Sequence, residues 1–213
     1  MLDFSKARVL VVGDLMLDRY WSGPTNRISP EGPIPVVNIN SEQNKVGGAG
    51  NVALNLKALG ADIHLIGMIG EDQHGKDLKK SLKEAKISCD LISTDKAPTI
   101  TKLRVLSQNQ QLMRLDFEKS YHNIDKSKLI SAFEKQLDKH NIILFSDYAK
   151  GTLSDKDIKK MISIAKKAKK NILIDPKGSD FTKYKGATLV KPNLKEFELI
   201  VGKCKDQQNL ILK

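Results

Sequence analysis

Five short aliphatic runs, each ending in Gly, Asp, Pro or Asn, recur along the chain with helical periodicities between them, and this alternation restricts the fold more than any other feature. The runs are "RVLVVGD" (8 to 14), "IHLIGMIG" (63 to 70), "NIILFSD" (141 to 147), "NILIDP" (171 to 176) and "ATLVKPN" (187 to 193). Each is rich in β-branched or aliphatic residues and closes on a turn former, which predicts a strand. Helical spacing of apolar residues falls near 50 to 59, 74 to 85, 126 to 139, 154 to 170 and 194 to 201. Strands that read as continuous apolar runs and alternate with helices predict a parallel sheet covered on both faces.

Two regions break the pattern. Residues 15 to 45 carry Pro24, Pro30, Pro33 and Pro35, while residues 99 to 117, "TITKLRVLSQNQQLMRLDF", read as two strands joined by the polar turn "SQNQ". Together they predict a small β-flap extruded from the main domain at two points. Period-2 alternation puts Lys102 with Arg104 on one face of the first strand, and Arg114 with Asp116 on one face of the second, opposite Met113, Leu115 and Phe117. Such a flap suits closure over an anionic ligand; an ordinary solvated hairpin has the same pattern.

The chain has 213 residues, a formal charge of +11 and 5% aromatic residues. In "DKDIKKMISIAKKAKK" the lysines lie mostly off the apolar stripe of Ile158, Met161, Ile162 and Ala165, the pattern of a solvated helix face. Aromatics do not interleave with the basic clusters, which argues against a nucleic-acid stacking platform. No run of about 18 apolar residues is present, so no membrane-spanning helix is expected. The amino terminus lacks the pattern of a signal peptide, and Cys89 and Cys204 have neither metal nor disulfide spacing. The expectation is a cytoplasmic protein with reduced thiols.

"VGGAGNVALN" contains Gly48, Gly50 and Ala53 in the spacing of a dinucleotide-binding fingerprint, with Asp72 about 20 residues on. That fingerprint follows directly on a buried strand. Here the preceding "NINSEQNKV" is too polar for one, and the first buried strand ends in Gly13-Asp14 without a glycine repeat. NAD binding is therefore the remote alternative. Gly47 and Gly48 still allow close backbone approach, and Asn51 lies at a helix start whose free N–H groups favour electronegative partners, which a sugar hydroxyl or a phosphate satisfies as well as a pyrophosphate does. A glycine turn that only serves helix packing is the alternative.

Gly47, Gly48, Ala49, Asn51 and Ala53, followed by Gly60 and Gly70, resemble the amino-terminal signature of the ribokinase-type family of sugar kinases, both long spacers included. "VVGDLMLDRYW", "RISPEGPIPVV", "TITKLRVLSQNQQLMRLDFE", "SDYAKG", "DPKG" and "KPNLKEFE" resemble the branch that phosphorylates D-glycero-β-D-manno-heptose 7-phosphate at O1 with ATP on the route to ADP-heptose and lipopolysaccharide. The likeness runs from residue 9 to about 205. It implies a ribokinase-like three-layer α/β sandwich with a β-flap, or lid, at about 15 to 45 and 99 to 117.

The resemblance also implies roles. Asp14 and Asp18 would accept hydrogen bonds from sugar hydroxyls, a turn Asp and a flap salt bridge being the alternative, and Gly47, Gly48 and Asn51 would hold further hydroxyls by backbone and side chain. Lys102, Arg104 and Arg114 would hold the substrate phosphate, a task that suits the forked guanidinium. Asn193 and Glu196 form the family's N-x-x-E, associated with the magnesium and phosphates of ATP, with Glu196 acting on the metal indirectly; after Pro192 the same pair is also a helix-capping arrangement. Lys177 and Lys150 would face phosphates of ATP or substrate, with solvated surface lysines as the alternative. Family lids often build homodimers, and the face with Met113, Leu115 and Phe117 is the expected contact.

The family's catalytic base lies in a later Gly-Ala-Gly-Asp motif, and none occurs in these 213 residues. The expectation is an amino-terminal portion of a kinase domain without the separate nucleotidyltransferase domain, C-terminally incomplete and inactive alone. A non-catalytic sugar-phosphate-binding or dimerising remnant is the second reading.

Overall fold

The computed structural model describes residues 3–108 and 110–204. Along the chain come β1 (Arg8–Gly13), β2 (Leu15–Ser22), β3 (Thr25–Ile28), β4 (Pro35–Val37), β5 (Ser41–Gly48) and α1 (Ala49–Ala58). Then follow β6 (Asp62–Gly70), α2 (Gln73–Glu84), β7 (Ser88–Thr94), β8 (Thr101–Ser107), β9 (Gln110–Phe117) and α3 (Ser127–Leu137). Last are β10 (Ile142–Ser146), α4 (Asp155–Lys167), β11 (Asn171–Asp175), β12 (Leu189–Val190) and α5 (Leu194–Val201).

Six strands form a parallel sheet in the order β12-β11-β10-β1-β6-β7. Successive residues of β1 point to opposite faces, and both faces are covered. Leu10 and Val12 join Phe133 of α3 and Ile158, Met161 and Ile162 of α4 in one core. Val9 and Val11 join Ala49 and Ala53 of α1 and Leu78 and Leu82 of α2 in the other. Burial on both sides is why β1 reads as an unbroken apolar run. The result is a three-layer α/β sandwich, as expected. None of the helices in the described residues is long and apolar enough to cross a membrane.

Two edge elements depart from the sequence expectation. β7, "SCDLIST", is half-buried at the edge of the sheet and too polar to have registered as a strand. At the other edge the expected strand over 187–193 shrinks to Leu189–Val190, which pairs with Leu173 and Ile174 alone.

A second sheet has the order β5-β2-β8-β9. β2 runs antiparallel to β5 and parallel to β8, and β8 runs antiparallel to β9. The proline-rich segment contributes the separate pair β3–β4. The chain passes from one sheet to the other at Asp14, between β1 and β2. Its carboxylate accepts from the backbone N–H groups of Tyr148 (2.8 Å), Lys150 (3.0 Å) and Thr152 (3.0 Å), while its carbonyl accepts from Ala49 N at 2.9 Å. One residue thus ties the end of β1 to the loop after β10 and to the start of α1.

A candidate acceptor cleft under the lid

The second sheet overhangs the carboxyl ends of β1 and β10, and a cleft of about 480 Å³ lies beneath it. Asp18, Gly47, Gly48, Asn51, Lys102, Arg104 and Arg114 all line it, although α1, α2 and strands β6 and β7 of the main sheet intervene between the first and last of them in the chain. Alternation along the strands sends Asp18, Lys102 and Arg104 to the cleft side and Leu17, Leu103 and Val105 into the apolar packing behind.

Asp14 does not join them. Its side chain is fully buried, and its carboxylate oxygens are committed to the three amides of the loop after β10. Burial pushes its carboxyl above the ordinary aspartate value, against the opposing pull of those amides. Asp14 thus anchors the wall of the cleft from behind, whereas Asp18 lines it.

The glycine turn is built by close approach. Gly48 has φ 58° and ψ −137°, a conformation that disfavours any side chain, and a Cβ there would strike the carbonyl oxygen of Asp14. A Cβ on Gly47 would press on Asp18 Oδ2 and lie 2.7 Å from Met16 Cγ. The two glycines therefore keep the floor of the cleft open beside the Asp18 carboxylate. The strand before them, β5, belongs to the lid and is mostly exposed. Asp72 caps α2, accepting from Gly75 N at 2.7 Å, and binds the Thr99 hydroxyl and amide at 2.7 and 2.8 Å. Neither feature meets the requirements of a dinucleotide fingerprint, for which the glycines follow a buried parallel strand and the acidic residue is free for a ribose.

Charges in the cleft are arranged in pairs. Arg104 Nη1 donates to Asp18 Oδ1 at 2.6 Å, and Arg114 binds both oxygens of Asp116 at 2.8 and 2.9 Å. The Asp18 carboxylate, through its hydrogen bond, raises the already high pKa of Arg104 further. Lys102 Nζ lies 3.6 Å from Asp116 and 4.0 Å from Glu118. Lys150, expected to face phosphates, pairs with Glu118 at 2.8 Å.

Besides the apolar Met16 and Val46, three polar lining residues were not anticipated: Tyr20, Lys45 and Tyr148. Tyr20 and Lys45 carried a usable signal, since each lies two residues from Asp18 or Gly47 on the same strand face. Tyr148 carried none, because it comes from the loop after β10. Burial raises the pKa of its hydroxyl, and the charges of Asp175 and Glu196 add to those of Asp18 in the same direction.

Asn193, Glu196 and Lys177 form a second group at the carboxyl edge of the sheet. Asn193 Oδ1 accepts from Glu196 N at 2.9 Å, and Glu196 Oε2 accepts from Asn193 N at 3.0 Å, a complete capping box on α5. Glu196 Oε1 accepts from Lys177 Nζ at 2.9 Å. Burial works against ionisation of Glu196, but the bonds from Lys177 and Asn193 prevail and hold its carboxyl below the usual range. Both oxygens are thus engaged, and among the described residues no three metal-ligating side chains converge.

A model of the pfkB family carbohydrate kinases matches residues 6–213. The chain belongs to the pfkB family of carbohydrate kinases. Among curated members, it is 53% identical over 211 residues to the bifunctional protein HldE of Photorhabdus laumondii, covering 99% of this chain and 44% of that protein. Identity to the bifunctional protein HldE of Haemophilus influenzae strain PittEE is 50% over 211 residues, with the same shares covered. The chain therefore spans less than half the length of these pfkB relatives. Among solved structures, ribokinase from Arabidopsis thaliana, complexed with ribose and ATP, superposes with a TM-score of 0.74 at 18% identity, over 97% of this chain and 66% of that one. That likeness shows the pfkB fold, a parallel sheet covered by helices with a lid sheet beside it.

Proposed function

We propose that this chain forms the acceptor side of a sugar-phosphate kinase whose substrate is D-glycero-β-D-manno-heptose 7-phosphate, phosphorylated at O1 with ATP. The observation that carries this reading is the convergence of Asp18, Gly47, Gly48 and Asn51 with Arg104 and Arg114 on one cleft, with Lys102 beside them. Carboxylate, amide and open backbone suit sugar hydroxyls, and guanidinium groups suit a phosphate. The identity to bifunctional HldE proteins supports the heptose within the range of sugar phosphates.

On the donor side, Lys177 and Asn193 are the groups proposed to meet the phosphates of ATP, with Glu196 reaching magnesium only through water. Bound magnesium would neutralise charge on the transferring phosphate. What the residues of this chain contribute is position: the capping box fixes the first turn of α5, and half-exposed Lys177 stands next to it.

No Gly-Ala-Gly-Asp motif is found in the sequence, so binding is the direct test of this reading. Calorimetric titration of the 213-residue chain with the heptose 7-phosphate is expected to give saturable binding at one site, with no comparable heat from NADH. Binding of NADH with none of the sugar phosphate would overturn the proposal.

A lid-mediated homodimer is proposed on separate grounds. Met113, Leu115 and Phe117 stand 53%, 40% and 45% exposed on one face of β9, away from the cleft. A face of this kind on an outer strand marks a contact surface. Sedimentation velocity of the wild type and of Met113→Lys would show a dimer that the variant loses.

A further inference from the structure

The cleft-facing side of the lid sheet consists of cross-strand rows, and neighbouring rows differ in chemistry. Register places Lys45, Asp18, Lys102 and Asp116 side by side across β5, β2, β8 and β9. Two residues further along the strands, Gln43, Tyr20, Arg104 and Arg114 make the next row. In the first row the charges alternate in sign, and Lys102 is already shared between Asp116 and Glu118.

The second row contains two arginines and no acid. Arg104 lies directly opposite Arg114, and like charges facing each other across antiparallel strands are destabilising. Each guanidinium leans back to the first row, Arg104 to Asp18 and Arg114 to Asp116. Lys45 leans the other way. Its Nζ stands 5.0 Å from the centre of the Tyr20 ring, and Arg104 Cζ stands 5.3 Å from the same centre. Lys45 is exposed and makes no ion pair among the described residues. It is a cation held in place by an aromatic face and not yet matched by an anion.

We propose that Lys45, held over Tyr20, completes with Arg104 and Arg114 a phosphate subsite in the second row, and that Lys102 serves instead as counter-ion to Asp116 and Glu118. This rests on the reading of the cleft as the acceptor site for a phosphorylated sugar. Hydroxyls bound at Asp18 compete with Arg104 for that carboxylate, and the released guanidinium is then available to the phosphate one row away. Two residues along a strand span about 6.8 Å. The lid thus selects sugars whose phosphate lies about that far from the hydroxyls gripped at Asp18.

The test is calorimetric titration of the heptose 7-phosphate into the wild-type chain and three variants. Lys45→Met is expected to weaken binding about tenfold or more, as for loss of a charge-assisted hydrogen bond. Lys45→Arg should restore most of that loss, and Lys102→Met should change affinity less than about threefold. Because Lys45 is exposed, unaltered circular dichroism is expected for both of its variants. A smaller loss with Lys45→Met, or an equal one with Lys102→Met, overturns the inference while leaving the acceptor reading intact. Absence of binding by the wild type overturns that reading and the inference with it.

Discussion

Arg104 donates to Asp18 across 2.6 Å although the two residues are 86 positions apart, and both line the same cleft. The pair joins β8 to β2 and holds a guanidinium where a phosphate would meet it. Arg104→Ala should weaken binding of the heptose 7-phosphate about ten- to a hundredfold, since bonds to charged groups contribute about 1.5–3 kcal/mol each. Stability should fall by less than about 1 kcal/mol, because the pair is partly exposed to solvent. Parallel calorimetry and urea unfolding separate the two effects.

The glycine turn yields a contrast between neighbours. Gly48→Ala puts a side chain at φ 58° against the Asp14 carbonyl and should cost about 1–3 kcal/mol in urea unfolding. Gly47→Ala presses instead on the Asp18 carboxylate and on Met16. Its main effect is expected on affinity, through displacement of Asp18 from Arg104. Equal loss of affinity in both variants with no loss of stability in either would contradict this account.

Asp14, itself fully buried, holds three backbone amides at once. Asp14→Ala leaves them without an acceptor and should lower the unfolding free energy by about 3 kcal/mol or more. Asp14→Asn keeps one acceptor oxygen and should cost less. Hydrogen exchange at Tyr148, Lys150 and Thr152 would report the loss amide by amide.

Asp72 predicts a dependence on pH. Burial opposes its ionisation, but the bonds from Gly75 and Thr99 prevail and hold its carboxyl below the ordinary aspartate value. A carboxylate with a depressed folded pKa stabilises the native state fully above the unfolded value, and the contribution is lost as pH falls through the folded one. The melting temperature of the wild type should therefore drop below about pH 4. In Asp72→Asn that part of the drop should be absent, together with some stability at neutral pH.

The sequence alone determined the layers. β1, β6, β10 and β11 pack on both faces and so are apolar over most of their length, and α4 declares itself by a stripe at helical spacing. A strand such as β7, half-buried at an edge, is free of that demand and left no pattern to read. The polar run before Gly47 hid a strand for the same reason: β5 turns most of its length to solvent. Motif spacing likewise reached the residues of the cleft, because Asp18, Gly47, Gly48, Asn51, Lys102, Arg104 and Arg114 lie in local patterns.

Only the tertiary structure decided how those residues are used. Two aspartates four positions apart look alike in sequence, yet Asp14 faces inward to three amides while Asp18 faces the cleft. Three strand pairings set Lys45, Asp18, Lys102 and Asp116 in one row and Arg104 opposite Arg114 in the next. Register is a relation between strands far apart in the chain, fixed by which faces each must bury. Local sequence names the groups; the pairing of distant strands decides which of them remain free to bind.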